Sequence, residues 1–240
     1  MTRPDEVVDT DSLDVDLLRR WRSGERGAGE QLVKRHHASI DRFFRHKVGD
    51  PAEDLVQETF FGLLKGHSPL RGEASVRTML FAIAHHKLVD YFRANAKDLV
   101  DPAESSIADS MRSPPSLLEI HEQHKLLVAA LRQLPLTTQC MLELHYWEKM
   151  SIKDISRILG FPKNTVKTHM HRGRQELDVA MQRLAQSPTQ LVTTRRGLEG
   201  WSEELKHEVA ELSSRRGADG SDACAELVED AEPLAADPDE

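Results

Sequence analysis

Apolar residues recur at intervals of three and four along the chain as far as Leu184, and runs that alternate apolar with polar are hard to find. That period is the signature of helices with one buried face, so the spacing predicts an all-α protein. Leu13, Leu17, Leu18 and Trp21 give one face to a short helix over Asp14 to Ser23. Leu32, Val33, Ile40, Phe43 and Phe44 do the same for Glu30 to Lys47. Asp50-Pro51 opens a third helix, where Leu55, Val56, Phe60, Leu63 and Leu64 point to a core and Asp54, Gln57 and Glu58 fall off that face. After the loop GHSPLRG, a long helix from Ala74 to Asn95 carries Val76, Leu80, Ile83, Ala84, Leu88, Tyr91 and Phe92 inward. Arg77, His85, His86, Lys87 and Arg93 supply its polar and basic surface.

The second half of the pattern begins near Ser116. Leu117, Leu118, Ile120, Leu126, Leu127, Ala130 and Leu131 form one stripe, Leu134-Pro135 interrupts it, and Thr137 to Trp147 resumes it. Then comes the most informative stretch, SIKDISRILGFPKNTVKTHMHRGRQELDVAMQRL. Ser151 suits a helix N-cap, Gly160 a helix end in the left-handed region, and Pro162 the first turn of the next helix. In that next helix Val166, Met170, Gly173 and Leu177 share one face. Asn164, Thr168, His171 and Gln175 share the opposite one, flanked by Lys167 and Arg172. Two helices in a tight turn, the second apolar inside and basic outside, are what reading a DNA major groove requires.

Charge sharpens that reading. The net charge is −8, yet residues 17–97 carry about +6 and residues 149–185 about +5, while the N-terminus, residues 98–124 and the tail are acidic. An acidic chain with two local basic blocks is compatible with nucleic-acid binding. Residues 98–115 have the polar, acidic, proline-bearing composition of a linker. The expected organisation is a disordered 1–12, a helical unit 13–97, a linker 98–115, a helix-turn-helix unit 116–185, and an acidic extension 186–240. In that extension Leu198 to Leu212 offers one short helix, with Trp201 on its apolar face. The extension is read either as a solubility tail or as an acidic brake on the basic blocks. No run reaches the roughly 20 apolar residues that cross a bilayer, and the acidic N-terminus lacks a secretory core. A soluble cytoplasmic protein without membrane insertion is expected.

The chemistry of catalysis is not apparent. Cys140 sits in an apolar run and Cys224 in the acidic tail, neither in a metal-spaced pair. Histidines cluster at His36-His37-His46, His85-His86, His121/His124 and His169/His171, without a converging third ligand. There is no phosphate-cradling glycine loop and no nucleophile elbow. No catalytic residue, metal or cofactor is expected, and the chain is read as a non-enzyme.

Two segments together resemble bacterial RNA polymerase sigma factors of the extracytoplasmic-function type. AEDLVQETFFGLLKG with LRGEASVRTMLFAIAHHKLVDYFR is similar to that family's second conserved region. LPLTTQCMLELHYWEKMSIKDISRILGFPKNTVKTHMHRGRQEL is similar to its fourth. The resemblance implies a protein that binds core RNA polymerase and directs promoter recognition, DNA melting and initiation. It places Asp54, Gln57 and Glu58 against the clamp helices of the polymerase β′ subunit and the second unit near the β flap. It places Ser68, Arg71, Arg77, His85, His86 and Lys87 at the minus-ten promoter region. Lys163, Asn164, Thr165, Lys167, Thr168, His171 and Arg172 fall at the minus-thirty-five element. An anti-sigma factor is a further partner class that it admits. Val76, Met79, His85-His86 and Lys163-Asn164 depart from residues common in the family, which bears on the promoter sequence read. A stand-alone helix-turn-helix regulator explains Ser151 to Leu184, but not DLVQETF or the long basic helix before the linker.

Overall fold

The computed structural model describes residues 10–66, 74–95 and 122–197. The acidic linker, the extension beyond Gly197 and Cys224 lie outside those residues. The first half comprises α1 (Thr10–Arg22), α2 (Arg26–Val48), α3 (Ala52–Lys65) and α4 (Val76–Asn95). The second comprises α5 (Glu122–Leu131), α6 (Leu136–Tyr146), α7 (Ile152–Leu159), α8 (Lys163–Leu184) and α9 (Pro188–Gly197). No strand occurs among the described residues. The fold is all-α.

In the first half α2 is the spine, with α1 and α3 against it and α4 packed on α3. Its core is made of the stripes the periodicity predicts. Leu17, Leu18, Leu32, Ile40, Phe44, Phe60, Leu63, Leu80 and Leu88 are almost wholly buried. Burying a side chain of this size contributes about 1.5–3 kcal/mol, so the apolar stripes supply the driving force. One buried ion cluster ties α1 to α2. Asp14 accepts from Arg35 Nε at 2.6 Å and lies 2.7 Å from His36 Nε2. Burial lowers the His36 imidazole pKa, and Asp14 opposes that only in part.

Several boundaries differ from the sequence reading. The first helix starts at Thr10, before Asp14, and the second at Arg26, before Glu30. Pro51, one position after Asp50, occupies the N-cap of α3. Pro162 likewise stands at the N-cap of α8, one position ahead of the first turn. The segment after Ala185 forms α9, which lies on α5 and α8 with Leu191 against their core. The helix expected over Leu198 to Leu212 lies outside the described residues.

The two halves touch. One apolar cluster runs from the core of α1 to α4 into Leu136, Cys140, Met141, Leu144, Met150, Ile155, Ile158, Leu159, Val166 and Met170 of the second half. Polar contacts follow the same seam. Lys47, 0% exposed, donates to Glu143 and to the Phe43 carbonyl, and its ammonium sits 4.1 Å from the centre of the Phe43 ring. His46 Nδ1 faces the Arg42 carbonyl at 2.8 Å, and its Nε2 lies 2.6 Å from Glu143 Oε1. Burial alone would push the Glu143 carboxyl up, but His46 and Lys47 outweigh it and hold the group below the usual carboxylate range. Arg132 donates to the His46 and Lys47 carbonyls at the C-terminal end of α2, where a cation complements the helix dipole. Its burial lowers the guanidinium pKa to about 10.

Candidate nucleic-acid interface

The helix-turn-helix is built as its sequence dictates. The Ser151 hydroxyl accepts from the Asp154 N–H at 3.1 Å, satisfying one of the orphan donors of α7. Gly160 ends α7 at φ 75°, ψ 13°, a left-handed conformation that costs little only without a Cβ. The turn then delivers α8 with Val166, Met170, Gly173 and Leu177 buried. Gly173 is required by closeness: a Cβ there would stand 2.3 Å from Thr138 Cγ2 of α6. The close approach fixes α8 against α6 and turns its other face outward.

That outward face carries the predicted residues. Lys163, Asn164, Lys167, Thr168, His171 and Arg172 are exposed, and Thr165 is half-buried. The Thr168 hydroxyl donates to the Asn164 carbonyl at 3.0 Å. Arg174, also exposed, lies over the Tyr146 ring at the edge of the same surface. The chemistry on offer is guanidinium, ammonium, amide, hydroxyl and imidazole on one helical face. That is the donor and acceptor set that pairs with base edges and phosphates.

On α3 the division of faces is equally clear. Leu55, Val56, Thr59, Phe60, Leu63 and Leu64 are buried, while Asp54 and Glu58 are exposed and Gln57 is half-buried. Glu58 meets Lys87 of α4 at 2.7 Å, in solvent, where such a pair is worth about 1 kcal/mol or less. The acidic row of α3 and the basic surface of α4 are therefore neighbours.

The residues expected at the minus-ten region are less uniformly open. Ser68 and Arg71 lie outside the described residues. His86 is exposed, with Nδ1 facing the Ala82 carbonyl at 2.7 Å. Lys87 is half-buried against Glu58. His85 corrects the expectation of a surface group. It is half-buried, and its Nε2 is shut off from solvent with no hydrogen-bond partner among the described residues. Burial, with His86 and Lys47 adding to it, lowers its pKa to about 4. Arg77 is occupied by Glu148 from the second half, a carboxylate that also accepts from Arg42 at 2.6 Å.

Sequence reasoning missed the seam residues Arg42, Lys47, Arg132, Glu143 and Glu148, and weighed His46 only as a member of a histidine cluster. The one available signal was Glu143 itself, a lone carboxylate inside the apolar run CMLELHY. Among the described residues no three His, Cys, Asp or Glu side chains converge as metal ligands. No described helix is long and apolar enough to cross a membrane.

Comparison with known proteins finds two family regions in the chain. Residues 32–98 match the family model described as Sigma-70 region 2, and residues 124–177 match Sigma-70, region 4. The chain is 29% identical over 153 residues to the RNA polymerase sigma factor YlaC of Bacillus subtilis, covering 62% of this chain and 88% of that protein. It is 28% identical over 161 residues to the ECF RNA polymerase sigma factor SigX of the same organism, covering 64% and 83%. It is 26% identical over 168 residues to the ECF RNA polymerase sigma factor SigM of Mycobacterium tuberculosis, covering 68% and 82%.

Proposed function

The chain belongs to the RNA polymerase sigma factors of the extracytoplasmic-function type, and from that premise we propose which of its surfaces do the work. It binds core RNA polymerase and directs promoter recognition and initiation; its role is that of an initiation factor, with no catalytic residue of its own. The row Asp54, Gln57 and Glu58 on α3 grips the β′ clamp helices. The second unit docks near the β flap. The loop containing Ser68 and Arg71, with Arg77, His86 and Lys87 of α4, holds the melted minus-ten strand. Backbone phosphates there are met by cations, and an unstacked base is captured. His85 supports α4 from within. Lys163, Asn164, Thr165, Lys167, Thr168, His171 and Arg172 of α8 read the minus-thirty-five element. The working units are 13–97 and 116–185, joined by 98–115 and followed by 186–240. Its place of action is the cytoplasm.

The observation that carries the polymerase assignment is the exposed acidic and amide row on a helix whose other face is wholly core. Asp54→Ala with Gln57→Ala removes two of the three side chains of that row and leaves the buried apolar residues of α3 in place. Titration against core polymerase should then show weaker association, with helical circular dichroism unchanged. Wild-type affinity in the double variant would contradict the placement.

A further inference from the structure

Among the described residues, large apolar side chains stand exposed at Val179 and Leu184 of α8 and at Val192 of α9, by 45%, 39% and 47%. All three lie in the last two helices before Leu198. Val179 and Leu184 belong to a groove along the C-terminal half of α8, lined also by Leu134, Gln175, Ala180 and Arg183. Its volume is about 520 Å³, against ~30 Å³ for a water, so it takes whole side chains. Gln175 closes the outward polar face of α8 and opens this groove. Single apolar residues on a surface need no explanation, but a contiguous apolar hollow marks a place where something docks.

The sequence supplies an occupant. Leu198 follows α9 without a gap, and Leu198, Trp201, Leu205, Val209 and Leu212 recur at steps of three and four. That spacing puts all five on one face of a helix. Such a helix is about 22 Å long, and the groove from Gln175 to Leu184 runs along about 14 Å of α8. The interface is already begun by α9, which lies on α5 and α8 with Leu191 against their core. A segment tethered to α9 meets the groove at an effective concentration of about millimolar, which a second copy in dilute solution does not match. The lining carries one cation, Arg183, and one anion, Glu176, so apolar contact and not charge selects what binds.

We propose that residues 198–212 dock as a helix in this groove, with Trp201 as the anchor, and cover Val179 and Leu184. The start of the extension is then a part of the second unit that braces the end of α8. It leaves Lys163 to Arg172 open, so it does not compete with DNA for them. An acidic brake would lie on that basic face and fade as salt rises, whereas a dock made of apolar contacts persists. Docking of this kind is independent of whether α8 reads promoter DNA.

Trp201 reports the dock. The chain has three tryptophans, and the other two, Trp21 and Trp147, are buried, so acrylamide quenching of the full chain follows the state of Trp201. The comparison is with the full chain carrying Val179→Asp and Leu184→Asp, two exposed positions whose change leaves the core in place. Wild type should be quenched weakly at low and at high salt. The groove variant should show a several-fold larger quenching constant, and adding Trp201→Phe to it should remove the gain. Conversely, Trp201→Asp with Leu205→Asp should speed amide exchange in residues 175–184 several-fold, while α1 to α4 keep their protection. Trp201 as open in wild type as in the groove variant overturns the dock, whatever the variants do to stability. Shielding that the groove variant does not disturb places Trp201 elsewhere and overturns the groove as its site. Shielding that is lost on dilution, with the mass of two chains by light scattering, makes the occupant a second copy and overturns docking within the chain.

Discussion

Lys167 and Arg172 stand at the two margins of the outward face of α8, both exposed. A side chain that makes a bidentate base contact should cost about 1–3 kcal/mol when removed and relax one promoter position. One that meets phosphate should weaken all sequences alike and lower the salt slope by about one. Arg172→Ala and Lys167→Ala should each show one of these patterns in polymerase recruitment. Recruitment unaltered by both would mean that another face of α8 docks. His85 gives a different kind of test. Its imidazole is held at about 4 in the fold by burial and by His86 and Lys47, against an ordinary 6.5. The folded chain therefore keeps it neutral where the unfolded chain protonates it. Its contribution to stability is complete above about pH 6.5 and is lost as pH falls toward about 4. His85→Leu should flatten that part of the curve of Tm against pH, leaving the slope due to His36 and His46, which shift the same way. An identical curve would contradict this account of His85. The outward residues of α8 were legible because helical period alone separates its faces. The burial of His85 was not, since α4 is apolar around much of its circumference.

The helix-turn-helix was the most legible element, because each of its joints has a local cause. Ser151, Gly160 and Pro162 act within one turn of themselves, so their roles survive without knowledge of the rest of the fold. Removing the cap with Ser151→Ala should cost about 1 kcal/mol in urea unfolding. Gly173→Ala should cost about 1–3 kcal/mol by driving a methyl into Thr138, and should tilt α8 away from α6. A Gly173→Ala protein as stable as wild type would mean that α6 and α8 can part without penalty. Element ends that depend on distant packing were harder to read. α9 carries only Leu191 and Val192 as large apolar residues, too few for a stripe, and forms where it lies on α5 and α8. Caps at Pro51 and Pro162 shifted by one position because proline fixes the turn that enters the helix without itself joining it.

At the scale of the whole molecule, the two basic blocks and the acidic segment between them were plain from charge alone. The contact between the two halves was not. Glu143 and Glu148 meet partners 71 to 106 positions away, with no spacing rule to connect them. A carboxylate in an apolar run signals burial, but only the fold names the cation that answers it. The exposed faces of α3 and α8 belong to a chain that works with a large partner and with promoter DNA. Core RNA polymerase is that partner, and the most direct measurement is transcription from a genomic fragment library by purified core polymerase, with and without this protein, mapping every 5′ end. The account predicts new start sites that appear only when both proteins are present and share two short motifs upstream, near minus ten and minus thirty-five. Start sites unchanged by the protein, or tight motif-specific binding of duplex DNA by the protein alone, would contradict it.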